Sequence, residues 1–168
     1  SSVINCHFSN LKSQGAIYYY HQEQKADLDE KFEIEKCTFE NIDGIGCYFS
    51  VPTNSPDILI IKESNFVNCI NKEQSIDTNA IGIIEDADSI TLNIEQCEFR
   101  NCGTKGFVIS LPLMKVKDDY QENCLISFID DTFEFDSKDD ACAALFIMQD
   151  FRKVLIKECT FKKCKPTQ

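Results

Sequence analysis

One short motif returns six times along this chain and constrains its fold more than any other feature. An Ile or Val precedes a Cys, then comes a Phe, then an Asn and often a second Cys. The fullest copies are Cys37-Thr38-Phe39-Glu40-Asn41 and Cys97-Glu98-Phe99-Arg100-Asn101-Cys102. The copies centre on Phe8, Phe39, Phe66, Phe99, Phe133 and Phe161, with spacings of 31, 27, 33, 34 and 28 residues (39−8, 66−39, 99−66, 133−99, 161−133). A recurring period of this size marks a solenoid in which each repeat buries its apolar side against its neighbours.

Two apolar columns lie upstream of the motif. Val3, Ile34, Ile61, Ile94, Phe128 and Ile156 stand five residues before the Phe, and Phe32, Leu59, Leu92, Ile126 and Val154 stand seven before it. Residues two apart share a face of a strand, so both columns face one core. The intervening Glu33, Asn93 and Ser127 are polar, whereas Ile60 and Leu155 break the alternation. Downstream, small residues open a second apolar run, as in Gly15-Ala16-Ile17, Gly46-Cys47-Tyr48 and Gly106-Phe107-Val108. Each repeat therefore reads strand, turn, short Cys-x-Phe strand, turn, strand and loop, with no helical pattern beside it. The predicted fold is all-β, a parallel β-helix of about five to six coils with 27–34 residues per coil, and residues 1–168 form one domain. In such a stack Phe8, Phe39, Phe66, Phe99, Phe133 and Phe161 form the structural core ladder, joined by Cys6, Cys37, Cys97 and Cys159.

Asn10, Asn41, Asn68 and Asn101 follow the Phe by two and mark a turn, because Asn tolerates left-handed backbone and hydrogen-bonds along a stack. Phe135 and Lys163 replace that Asn, and Asp131 replaces the motif Cys, so irregular turns are expected in the last two repeats. The chain has neither an initiator Met nor a leader-like or membrane-spanning run, and is expected to be a segment of a longer repeat protein.

A net charge of −11 argues against a basic face for nucleic acid or anionic membrane, and no membrane insertion is expected. The 10 cysteines fall largely in columns, so inward thiols packed as small apolar residues explain them more simply than a disulfide framework. Zinc is not expected: Cys97/Cys102 and Cys159/Cys164 follow from the same columns, and His7 and His21 are the only histidines. The intervals after the downstream strands should leave the coil at one edge, and they carry Asp27, Asp29, Glu30, Glu85, Asp86, Asp88, Asp118, Asp119 and Glu122. Those oxygens are the weak candidate for a hard cation such as calcium.

No catalytic or cofactor constellation stands out, and no cofactor is expected. Asp130/Asp131 and Asp139/Asp140 raise the two-carboxylate chemistry of glycoside hydrolysis, but adjacent strand residues face opposite ways. Of Tyr18, Tyr19 and Tyr20, alternate rings should turn inward. Neither histidine has an evident triad partner, and His7 is expected to lie within a motif turn.

The motifs Cys37-Thr38-Phe39-Glu40-Asn41, Cys97-Glu98-Phe99-Arg100-Asn101-Cys102 and Cys159-Thr160-Phe161, with strands such as Gly15-Ala16-Ile17, resemble the right-handed parallel β-helix repeats of the pectin-lyase-like superfamily. Within it they are most similar to repeats of chlamydial polymorphic outer-membrane proteins and of large trichomonad-type protist surface proteins. The resemblance implies a non-enzymatic, structural and adhesive segment of a cell-surface or extracellular protein. Its partner would be a protein or glycan bound through the faces or the loop edge, with the rest of the parent chain or end-to-end neighbours at the coil ends. The alternatives are a polysaccharide-cleaving β-helix enzyme, or an intracellular scaffold if the cysteines are reduced.

Overall fold

Alternating inward apolar and outward polar residues build the strands of the computed structural model, which describes residues 1–21, 30–51, 57–72, 78–83, 90–103, 106–111, 125–137, 142–147 and 153–164. The first three repeats supply β1 (Ser2–Ile4), β2 (His7–Ser9) and β3 (Lys12–Tyr20); β4 (Lys31–Glu35) and β5 (Thr38–Ser50); β6 (Asp57–Lys62), β7 (Asn65–Ile70) and β8 (Thr78–Ile83). The last three supply β9 (Ile90–Glu95), β10 (Glu98–Arg100) and β11 (Phe107–Leu111); β12 (Leu125–Ile129), β13 (Thr132–Glu134) and β14 (Ala143–Ile147); β15 (Lys153–Lys157) and β16 (Thr160–Lys162). All pairings are parallel, and each joins a strand to its counterpart in an adjacent repeat. The chain is a parallel β-helix.

One face is a six-stranded sheet in the order β1-β4-β6-β9-β12-β15. The motif strands and the downstream strands form two further faces. They merge into a single ten-stranded sheet because β5 runs unbroken through both.

Register sets the core. Phe8 pairs with Phe39, Phe39 with Phe66, Phe66 with Phe99, Phe99 with Phe133 and Phe133 with Phe161. Their ring centroids lie 5.0, 4.6, 4.9, 4.7 and 5.0 Å apart, with planes within 12° of parallel. That spacing matches the separation of neighbouring strands, about 4.8 Å. Beside this stack, Phe32, Leu59, Leu92, Ile126 and Val154 pair in one column, and Val3, Ile34, Ile61, Ile94, Phe128 and Ile156 in another. Gly46 makes room for the stack: a Cβ there would stand 2.9 Å from the Phe66 ring and 2.8 Å from the Ala80 carbonyl oxygen.

Corners are made by single residues in left-handed conformation. Asn10, Asn41, Asn68 and Asn101 all have φ between 51° and 54°. Their amides form part of a ladder, with Asn68 donating to Asn41 at 3.0 Å and Asn41 to Asn10 at 3.4 Å. Lys163 adopts the same conformation (φ 57°), so the sixth repeat is regular, against expectation. The fifth does depart: Phe135 turns inward and is buried, and Asp136 bonds Asn101 instead, its N–H donating at 2.8 Å.

A second left-handed column lies three residues before each Phe, at Asn5, Lys36, Glu63, Gln96, Asp130 and Glu158 (φ 49–59°). It turns the chain from the six-stranded sheet into the motif strand. Left-handed backbone costs an ordinary L-residue roughly 1–2 kcal/mol, and Asn less than most. Gln96→Asn keeps the backbone bond to the Ile129 carbonyl (2.9 Å) and is expected to add roughly 0.5–1 kcal/mol of stability in urea unfolding. No gain would mean that this corner is unstrained.

Candidate functional site

Strands β3, β5, β8, β11 and β14 are neighbours in one sheet, and β4, β6, β9, β12 and β15 are neighbours in the other. The connections between them, positions 21–30, 51–56, 84–89, 112–124 and 148–152, are therefore all rooted along one edge of the β-helix. Asp27, Asp29, Glu85, Asp86, Asp88, Asp118, Asp119 and Glu122 lie in these connections but outside the described residues. Glu30 is described, and it belongs to a cluster that the sequence did not reveal.

That cluster forms where the first two connections are rooted. His21 continues β3, its N–H donating to the Ser50 carbonyl at 3.0 Å. Asp57 opens β6 in register with the buried Ile90, so its carboxylate points into the core and is fully buried. The two meet there: His21 Nδ1 lies 2.9 and 3.1 Å from the Asp57 oxygens. Because a carboxylate only accepts, Nδ1 is the donor to Asp57, and Nε2 lies 3.8 Å from Glu30 Oε1. Glu30 Oε2 accepts from the Tyr19 hydroxyl at 3.2 Å, and the Tyr19 ring stacks on Phe32 at 4.5 Å. Burial pushes the Tyr19 phenol well above its usual range, reinforced by the charges of Asp57 and Glu30. Tyr18 and Tyr20 point outward, at 51% and 61% exposure.

The arrangement fixes the imidazole and ties β3, the start of β4 and β6 together. It is a polar clamp across the root of two connections. His21 and Asp57 are 36 residues apart, and the signal that could have found them is two polar residues at inward positions of the same corner. His7 is not in a turn; it lies on β2 facing outward, 3.4 Å from Glu40.

A groove of about 510 Å³ runs over the outer face of the motif strands, lined by Asn65, Glu98, Asp130, Thr132, Glu134 and Lys162 among others. Two of its carboxylates have cationic partners: Glu98 pairs with Arg100, and Glu134 with Lys162 at 3.4 Å. Of the first sequence-level acidic pair, Asp130 occupies a left-handed corner and Asp131 is fully buried. Asp139 and Asp140 lie outside the described residues. Among the described residues, no group of three or more His, Cys, Asp or Glu side chains is arranged to hold a metal ion.

Beneath the groove runs the inward column Cys6, Cys37, Ser64, Cys97, Asp131 and Cys159. Five members donate to the carbonyl two residues back: Cys6 at 3.4 Å, Cys37 at 3.3 Å, Ser64 at 2.8 Å, Cys97 at 3.4 Å and Cys159 at 3.4 Å. Each X–H thus meets a carbonyl beside its own left-handed corner. Burial pushes the Cys97 thiol up to about 12, with the Asp131 charge adding to it. Thiols in this state are packing groups and poor nucleophiles.

No family model, curated protein or solved structure matches this chain.

Proposed function

We propose that this β-helix is a structural and adhesive segment of a surface or secreted protein, similar to pectin-lyase-like repeats of the chlamydial and trichomonad surface type. One observation carries the reading: five connections of unequal length are rooted along a single edge of a stacked scaffold, and a buried His21–Asp57 clamp secures two of them. Repeat scaffolds concentrate binding on such edges because loops vary while the stack holds their roots. The acidic residues of those connections give the edge a bias towards basic proteins, or towards glycans held through a cation.

The test is a binding screen of the protein on immobilised glycans and extracellular-matrix proteins. A variant with amides at Asp27, Asp29, Glu85, Asp86, Asp88, Asp118, Asp119 and Glu122 should lose binding by about tenfold or more. A control with Gln at Glu33, Glu35 and Glu95, on the six-stranded sheet, should retain it. Equal binding by both variants would sink the proposal.

The outer groove favours a second reading, a polysaccharide-cleaving enzyme, which release of reducing ends from acidic or neutral polysaccharides would establish in place of the first. The stacked, unbridged thiols favour a third, an intracellular scaffold, and a free-thiol count on protein from its native source separates it from the others.

A further inference from the structure

We infer that Cys69 and Cys102 form a disulfide site, a thiol pair that an oxidant such as glutathione disulfide closes while the chain folds, stapling the third repeat to the fourth. Both residues stand three after a motif Phe, and Phe66 and Phe99 pair directly. The two chains then run in step. Val67 pairs with Arg100, and Asn68 and Asn101 turn through the same left-handed corner, with φ of 53° and 51°. Cys69 and Cys102 therefore leave their corners one above the other. Each thiol reaches back to the motif carbonyl of the preceding repeat, Cys69 Sγ 3.8 Å from Phe39 O and Cys102 Sγ 3.3 Å from Phe66 O. The Cys102 thiol lies beside that of Cys69.

Distance permits the bond. Strands spaced about 4.8 Å apart place their Cα atoms inside the range of roughly 4.4–6.8 Å that a disulfide spans, and the Cβ atoms have to close to roughly 3.5–4.5 Å. Cys102 has the freedom to make that approach, because β10 ends at Arg100 and leaves it outside the paired ladder. Leu11, Ile42, Asp136 and Cys164 hold the same position in the other repeats, so only the third and fourth put two thiols there in succession.

Timing follows from burial. Both residues are fully buried, and the adjacent Cys102 thiol together with burial holds the Cys69 thiol well above its ordinary range. The finished fold thus denies an oxidant both access and a thiolate, so the exchange belongs to the open chain, before the fourth repeat docks on the third. The Cys69 thiolate attacks one sulfur of glutathione disulfide and expels a glutathione thiolate. The Cys102 thiolate then attacks Cys69 Sγ, forming the protein disulfide and expelling the second glutathione. Two electrons pass from the protein thiols to the oxidant, and the two thiol protons end on the two glutathiones. Once the core closes, the same burial shields the bond from reductants.

The experiment is refolding of the full chain from reduced, denatured protein in a buffer of reduced and oxidised glutathione, followed by alkylation under denaturing conditions and peptide mapping without reduction. The folded product, identified by circular dichroism, should carry a Cys69–Cys102 link. Protein folded first under reductant and then moved to the same buffer should keep both thiols free. The linked protein should unfold at a urea midpoint roughly 1 M above that of its reduced twin, the direction expected for closing a loop of this length. Folded product with Cys69 and Cys102 both alkylated would overturn the inference. So would a Cys102–Cys142 link, the alternative open to a Cys142 thiol 3.1 Å from the Cys102 carbonyl. A linked protein that unfolds earlier than the reduced one, or a chain that folds under reductant but not in the glutathione buffer, would overturn it as well, because the bond would then oppose the stack.

Discussion

Phe66→Ala is expected to destabilise the β-helix by about 3–5 kcal/mol in urea unfolding, whereas Phe161→Ala should cost only about 1 kcal/mol. The two residues occupy the same column but differ in what surrounds them. Phe66 is fully buried, with Phe39 on one face at 4.6 Å, Phe99 on the other at 4.9 Å, and Gly46 against its edge. Truncation there opens a cavity that stacked backbone on both sides prevents from collapsing. It also removes two ring contacts, each worth about 0.5–1.5 kcal/mol beyond its area. Phe161 is 45% exposed and, among the described residues, stacks on Phe133 only. Against a typical total of roughly 5–15 kcal/mol, the Phe66 loss is large enough to unfold the middle of the stack. Equal losses at the two positions would show that the column does not act as a stack.

That contrast follows from register, and register is the part of this fold that was legible in the sequence. A side-chain period of two and a repeat near thirty together return the same residue type to the same column, so the β-helix could be read before any contact was seen. The corners were only half legible. Asn10, Asn41, Asn68 and Asn101 mark theirs by residue type, while the second left-handed column holds Asn, Lys, Glu, Gln, Asp and Glu and shows no pattern. There the turn is imposed by the pairing of flanking strands and overrides local preference. Nor did residue type reveal that β5 would run through its Asn corner without a break. The His21–Asp57–Glu30 cluster was invisible for a related reason: its members come from different repeats and meet only once the corner closes. The acidic residues singled out along the loop edge lie outside the described residues apart from Glu30, and Glu30 is committed to Tyr19 and His21.

Asp131 carries the second large effect, and its sign is unusual for an aspartate. It occupies a column in which every other repeat has an X–H donor, and it is fully buried. Its Oδ1 accepts from the Cys97 N–H at 2.9 Å, while Oδ2 is the one buried side-chain oxygen without a hydrogen-bond partner among the described residues. Burial pushes its pKa up from 3.8 to about 7; the Cys97 N–H opposes this, and the charges of Asp130 and Glu95 add to it. Once protonated, Oδ2 becomes a donor like Ser64, whose hydroxyl meets the equivalent carbonyl. A carboxyl group with a raised folded-state pKa contributes its full stability below the unfolded value and loses it as pH rises through the folded one. The β-helix should therefore weaken between about pH 4 and pH 7, by at most about 4 kcal/mol for a carboxyl moved from 3.8 to about 7. Glu33 and Glu35, held low by Lys62, Lys31 and Lys36, act in the opposite sense, but only below their ordinary range. Asp131→Asn isolates the effect, since an amide keeps the acceptor for Cys97 and supplies the missing donor at every pH. The variant should be the more stable protein above pH 7, and its advantage should vanish towards pH 4. Parallel stability curves for the two proteins across that range would mean that Asp131 is ionised in the fold with its charge satisfied.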